Sequence, residues 1–191
     1  MVEMSLAALQ YYIRTFYPHV PWGHWFAMGA ISLAVSLIFR KRFSFYGAVV
    51  LGFTVFVSLF LLEVAVVIRY CGFFPHGTGF GLIREFHLLL HGDEIRRAEL
   101  LSNIVVFVPF GFFLSEFLSS TKTHSILKRF ENVTFAAFGL SLCIEALQLL
   151  LQVGYFEMTD LIMNTVGAFI GAGVSILIRT AFGKARRHEN L

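Results

Sequence analysis

Charge is scarce in this sequence. Asp, Glu, Lys and Arg make up only 14% of its 191 residues, where a soluble globular domain carries about a quarter. Hydrophobic residues make up 57%, Phe alone supplies 23 positions, and the mean hydropathy is +0.75. A soluble core of this size cannot hide that much apolar surface, so the excess is expected to face lipid. Cysteine is nearly absent. Cys71 and Cys143 lie far apart and Cys143 sits inside an apolar run, which excludes a disulfide framework and a cysteine metal site. The net charge of +3 is small and reads as membrane orientation, not nucleic-acid binding. The first twenty residues lack a basic n-region, an apolar h-region and a small-residue cleavage site, so no signal peptide is expected. No internal repeat or low-complexity tract is visible, and the length argues for one membrane domain over residues 1–191.

What the sequence does have is apolar runs of spanning length, which needs about 20 residues each. Five qualify: 22–39, 45–68, 100–118, 133–153 and 160–178. The expected fold is all-α, a polytopic helical membrane bundle of about five transmembrane helices. Basic residues orient it. Arg40, Lys41 and Arg42 follow the first span, Lys122, Lys128 and Arg129 precede the fourth, and Arg179, Lys184, Arg186 and Arg187 follow the fifth. All three groups fall on one side, which is therefore read as cytoplasmic. The N-terminus is then outside and the C-terminus inside. Residues 1–21 read as a short interfacial helix, with Leu6, Leu9, Ile13, Phe16 and Val20 at helical spacing. The outer loop 70–99 carries an apolar stretch, Leu82 to Leu90, too short to span but suited to the interface or to re-entry.

Polar groups within spans are expensive and tend to face a bundle interior or a wet cavity. Glu145, Gln148 and Gln152 occupy the outer half of the fourth span, Asp160 and Asn164 the first turns of the fifth, Asn103 the start of the third, and Glu63 the outer half of the second. At about 1.5 Å rise per residue these groups share one layer in the outer leaflet. Glu116, near the inner end of the third span, is expected to reach water. Glu145 and Gln148 are neighbours on one helix face. Asp160, Asn164, Gly167 and Gly171 form a single stripe whose glycines permit close helix approach, and the polar end of that stripe is expected beside the acids of the fourth span. Pro109 and Gly111 invite a kink in the third span. Arg84, in the outer loop, either supplies positive charge to the acidic layer or touches lipid phosphate at the rim. His87 and His91 are four apart with Asp93 nearby, but they lack a third convergent ligand. No metal and no cofactor are expected.

Two blocks resemble the VanZ-like family, named for an accessory glycopeptide-resistance protein. Asn103-Ile-Val-Val-Phe107-Val-Pro109-Phe-Gly111 is similar to that family's Asn-x-x-x-Phe-x-Pro-x-Gly span. Glu145-Ala-Leu-Gln148, continuing through Glu157, Asp160, Asn164, Gly167 and Gly171, is similar to its Glu-x-x-Gln … Asp-x-x-x-Asn-x-x-Gly block. The resemblance covers roughly residues 84–178. The sequence departs from the family pattern at Gly154, where an arginine is usual, at Thr159, where a second acid is usual, and in the outer loop, where Gly81-Leu82-Ile83-Arg84-Glu85-Phe86 replaces Asn-Leu-Ile-Pro-Phe. The resemblance implies tolerance of teicoplanin-type, lipid-tailed glycopeptides.

The residues leave several functions open. One is binding of an amphipathic envelope molecule in an outer-leaflet polar cavity lined by Asn103, Glu145, Gln148, Asp160, Asn164 and Arg84. The molecule would be a lipoglycopeptide or a lipid-linked cell-wall precursor, and membrane lipids would be the other partners. A second is a membrane enzyme on a lipid-linked envelope substrate, with Glu145 and Asp160 as an acid/base pair. No serine, cysteine or histidine with a partner at useful spacing supports it, and no phosphate-binding glycine loop does. A third is a structural subunit in which the polar layer is an interhelical lock. A homo-oligomer is compatible with each. The expected location is the bacterial cytoplasmic membrane.

Overall fold

The computed structural model describes residues 21–67, 77–79, 94–121 and 125–188. Among them, five helices are long and apolar enough to cross a membrane. α1 is Trp22–Phe39. α2 is Phe45–Leu62 and continues as a π-helical turn, Glu63–Val67. α3 is Glu94–Ser120, α4 is Ile126–Leu150 and α5 is Met158–His188. Between 11% (α1) and 44% (α5) of each span is buried against protein. The remaining surface presents Trp22, Phe26, Leu33, Phe45, Leu127, Leu150 and Leu177, as a chain solvated by lipid requires.

Local sequence sets the helix ends. Ser44 starts α2 by accepting a hydrogen bond from the Gly47 amide at 3.1 Å, and Ser125 caps α4 toward the Lys128 amide. α3 begins six residues before its apolar run and α4 seven before its own, because both helices continue through charged residues that a hydropathy reading stops at. α4 ends at Leu150, three residues earlier than expected. Gln152 adopts φ 56°, while the Val153 amide donates to the Gln148 carbonyl at 2.9 Å and the Gln152 amide to Leu149 at 3.2 Å. That is a Schellman close, in which the left-handed residue satisfies the last carbonyls. Two short strands lie outside the spans, β1 (Gly77–Gly79) before α3 and β2 (Tyr155–Glu157) after α4. They pair in parallel with Thr78 opposite Phe156, so part of the loop before α3 is tied to the turn after α4. The expected interfacial helix 1–21 lies outside the described residues except Pro21, as does the outer apolar stretch.

The closest seam lies between α3 and α5. A Cβ built at Gly111 would stand 1.9 Å from the Ala168 carbonyl oxygen. One at Gly167 would stand 2.1 Å from that of Ile104, and one at Gly171 2.1 Å from that of Val108. The two helices therefore run parallel with their backbones in contact, which only glycine permits. α3 runs on as one helix through Pro109. The glycine stripe was expected to bring α5 tightly against a neighbour, and it does so against α3. The interior of the bundle is an apolar layer of Leu61 from α2, Phe107 and Phe110 from α3, Val133, Ala137 and Ile144 from α4, and Ala168 and Ala172 from α5. α1 packs outside this layer on α2, with Trp25 stacked 6.0 and 5.5 Å from Phe56 and Phe60.

The three basic groups do share one end. Arg179 of α5 bonds Glu116 at the end of α3, Tyr46 at the start of α2 bonds the same carboxylate, and Arg129 at the start of α4 bonds Ser115. Arg40, Lys41 and Arg42 lead directly into α2 there. We call this the basic end.

Candidate functional site

Toward the opposite end, the apolar interior gives way to a polar storey. Asn103 lies one turn beyond Phe107 on the same face of α3, Asn164 one turn beyond Ala168 on α5, and Ser141 one turn beyond Ala137 on α4. The helical periodicity that points the apolar residues inward therefore points these polar ones inward too. Asn164 is 6% exposed and Ser141 fully buried. The Asn164 amide nitrogen donates to Ser141 Oγ at 2.8 Å. One turn further out on α4 come Glu145 and Gln148, 2% and 3% exposed.

Glu145 and Gln148 hold backbone. Glu145 Oε2 accepts the Glu157 amide at 2.9 Å, fixing the strand that leads into α5. Gln148 Nε2 donates to the Ala65 carbonyl at 2.8 Å. Ala65 lies in the π-helical turn that ends α2, and Gln148 reaches its carbonyl from the neighbouring helix. This ties α4 to α2 as Asn164 ties α5 to α4.

Two amide atoms in the storey remain unfilled. Asn103 Nδ2 and Asn164 Oδ1 are buried and have no hydrogen-bond partner among the described residues. One is a donor and the other an acceptor. An unpaired buried polar group costs about 1–3 kcal/mol, so the storey keeps one of each at the expense of stability. Asp160 stands in the first turn of α5, one turn outward of Asn164, with Oδ1 out of solvent contact.

The layer read from the sequence thus divides. Asn103, Glu145, Gln148, Asp160 and Asn164 lie at the same end of α3, α4 and α5. Gln152 does not join them: it is exposed and serves as the left-handed cap of α4. Glu63 turns away to α1, where it pairs with His24. The two border a cavity of about 310 Å³ with Met28, Ile31 and Leu59. Arg84 lies outside the described residues, as do His87, His91 and Asp93. Gly154, standing where the resemblance leads one to look for arginine, is buried.

Sequence reasoning missed a second polar assembly at the basic end. Glu116, expected to reach water, is 6% exposed. It takes hydrogen bonds from Arg179 Nε at 3.0 Å and Nη2 at 2.7 Å, from Ser175 Oγ at 2.7 Å and from the Tyr46 hydroxyl. Arg179 also lies 5.7 Å from the Tyr46 ring centre. Arg129, read from sequence as a loop charge, is 6% exposed. Its Nη2 donates to Ser115 at 2.8 Å and Ser175 at 3.2 Å. The signal was present: the stripe from Asp160 to Gly171 runs on at four-residue steps through Ser175 to Arg179.

Among the described residues, no three His, Cys, Asp or Glu side chains converge on a metal-sized site. A family model described as VanZ/LLP1 matches residues 43–179, from the loop before α2 into the last turns of α5. The curated Protein VanZ of Enterococcus faecium is 32% identical over 92 residues, which is 48% of this chain and 48% of that protein. The matched stretch thus spans about half the length of that relative. No solved structure matches.

Proposed function

This chain belongs to the VanZ/LLP1 family, and from that premise we propose that it binds the polar head of an amphipathic envelope molecule in its polar storey. The binding contributes to tolerance of teicoplanin-type, lipid-tailed glycopeptides at the bacterial cytoplasmic membrane. The observation that carries the reading is the unfilled donor and acceptor pair, Asn103 Nδ2 and Asn164 Oδ1, at the end of the bundle away from the basic loops. The excess of basic residues at the other end supports an outer-leaflet position for the storey, where a glycopeptide or a lipid-linked cell-wall precursor would arrive. Sugar hydroxyls and amides both accept and donate, so they match what the storey leaves open. An acyl tail would lie along the apolar flanks of the spans.

A lock reading draws support from Gln148 and Glu145, whose side chains are spent on the Ala65 carbonyl and the Glu157 amide. It also accounts for the Asn164 amide nitrogen, which donates to Ser141, and leaves Asn103 Nδ2 and Asn164 Oδ1 unexplained. We therefore assign Glu145 and Gln148 to positioning the storey and Asn103 and Asn164 to contact, with Asp160 at its outer margin.

Binding stabilises the folded state by mass action, so thermal melting of the purified protein in detergent tests the reading. Teicoplanin is expected to raise the melting temperature in a saturable way, and a glycopeptide without an acyl tail to raise it much less. No shift with teicoplanin, and none with a lipid-linked precursor, would remove the binding claim.

A further inference from the structure

Among the described residues, the assembly at the basic end holds more positive charge than it balances. Arg129 and Arg179 share one carboxylate, Glu116. Donor and acceptor counting gives the chain a direction. Arg129 Nη2 donates to both serines, Ser115 donates to Ser175 at 3.0 Å, and Ser175 donates its only hydroxyl proton to Glu116 at 2.7 Å. Arg179 takes both carboxylate oxygens directly. Among the described residues, Arg129 therefore touches no carboxylate; it reaches Glu116 only through two hydroxyls.

Arg129 is also 94% buried, its relative exposure being 6%, and its Nε has no hydrogen-bond partner among the described residues. The connecting residues 122–124 are Lys, Thr and His and add no acid. Glu131, two positions along α4, is exposed. A buried guanidinium with no anion against it is costly in a membrane protein and marks a site that an anion completes.

The place of Arg129 says which anion. It lies in the first turn of α4, whose amide ends and helix dipole also favour negative charge. The first turn of a spanning helix sits at the depth of headgroup phosphates. We propose that Arg129 is a binding site for a phosphate group at the basic end of the bundle, supplied by an anionic phospholipid of the adjacent leaflet. The phosphate charge faces the Arg129 guanidinium from the start of α4, while Ser115 and Ser175 hold the guanidinium in place. This site is separate from the polar storey and does not depend on the function proposed for it.

The test is thermal melting of the full chain in nanodiscs of phosphatidylcholine alone or with phosphatidylglycerol, and in phosphatidylcholine with added inorganic phosphate. Phosphatidylglycerol is expected to raise the melting temperature of the wild type by a few degrees. Arg129→Gln should lose that gain, and so should Arg129→Lys, which keeps the charge but lacks Nε and serves if the glutamine variant does not fold. Lys41→Gln, an exposed basic residue at the same end, should keep it. An equal gain from inorganic phosphate would overturn the lipid source in favour of a free anion. A gain that survives in the folded Arg129 variants, one lost equally in Lys41→Gln, or no gain in the wild type would overturn the site.

Discussion

Gly111→Ala is expected to leave little or no folded protein. The added methyl would stand 1.9 Å from the Ala168 carbonyl oxygen and 2.6 Å from its carbonyl carbon and Cα. All three are backbone atoms of a helix, so no rotamer change relieves the clash. α3 and α5 must separate, and Gly167 and Gly171, whose own Cβ positions stand 2.1 Å from backbone of α3, lose their contacts with it. Overpacking typically costs about 1–3 kcal/mol where side chains can shift, and more where they cannot. A backbone clash at three atoms lies beyond that range, and set against a total stability of about 5–15 kcal/mol it removes most of the margin that keeps the chain folded. Size-exclusion profile and melting temperature in detergent measure it. Gly139→Ala, which has nothing within 4 Å of the new methyl, is the matched control and should behave as wild type. A monodisperse Gly111→Ala protein that melts with the control would show that the backbone seam is not what holds α3 to α5.

Glu116→Ala is expected to carry the next largest penalty. Removing one partner of a buried ionic network leaves the opposite charges in place, at a cost of about 3–5 kcal/mol. The lower part of that range applies, because the Arg179 side chain is 37% exposed and can turn toward water. Arg129, at 6%, cannot. Glu116→Gln keeps an acceptor for Ser175 and Arg179 and should lose less. Pairing Glu116→Ala with Arg179→Ala removes one uncompensated charge and should recover part of the lost melting temperature, which is the sign of coupling a double-mutant cycle reads. If Glu116→Ala melts as wild type does, the network contributes nothing to holding the basic ends of α2, α3, α4 and α5 together.

The parts of this architecture legible in the sequence are those that hydropathy and periodicity govern. Trp22–Phe39 is delimited to the residue, since both its ends are marked by abrupt changes of character at Pro21 and Arg40. Glu94–Glu99 and Ile126–Asn132 escape a hydropathy reading, because a helix emerging from lipid keeps its hydrogen bonds through charged residues. The Asp160–Gly171 stripe is legible as one face. That it meets two helices, with the glycines on α3 and Asn164 on α4, follows from how α5 is wedged between them. Glu116 is misplaced by sequence because depth along a span does not say which way a side chain points. Gln152 is misplaced because its part is played by its backbone: a positive φ that closes α4 leaves no trace in polarity.

Of the storey residues, Asn103 separates a ligand site from a lock most sharply. Its amide nitrogen makes no hydrogen bond among the described residues, so Asn103→Leu removes an unpaired buried group for an apolar one of similar size. Such an exchange is close to neutral or stabilising for a fold. The decisive measurement is therefore growth under teicoplanin of a sensitive Gram-positive host carrying empty vector, wild type or Asn103→Leu at matched levels, with the melting temperature of each purified protein. The account predicts that wild type raises tolerance and that Asn103→Leu loses it while melting no lower than wild type. Tolerance from Asn103→Leu equal to that from wild type would contradict the account, and the storey would then be a lock between helices.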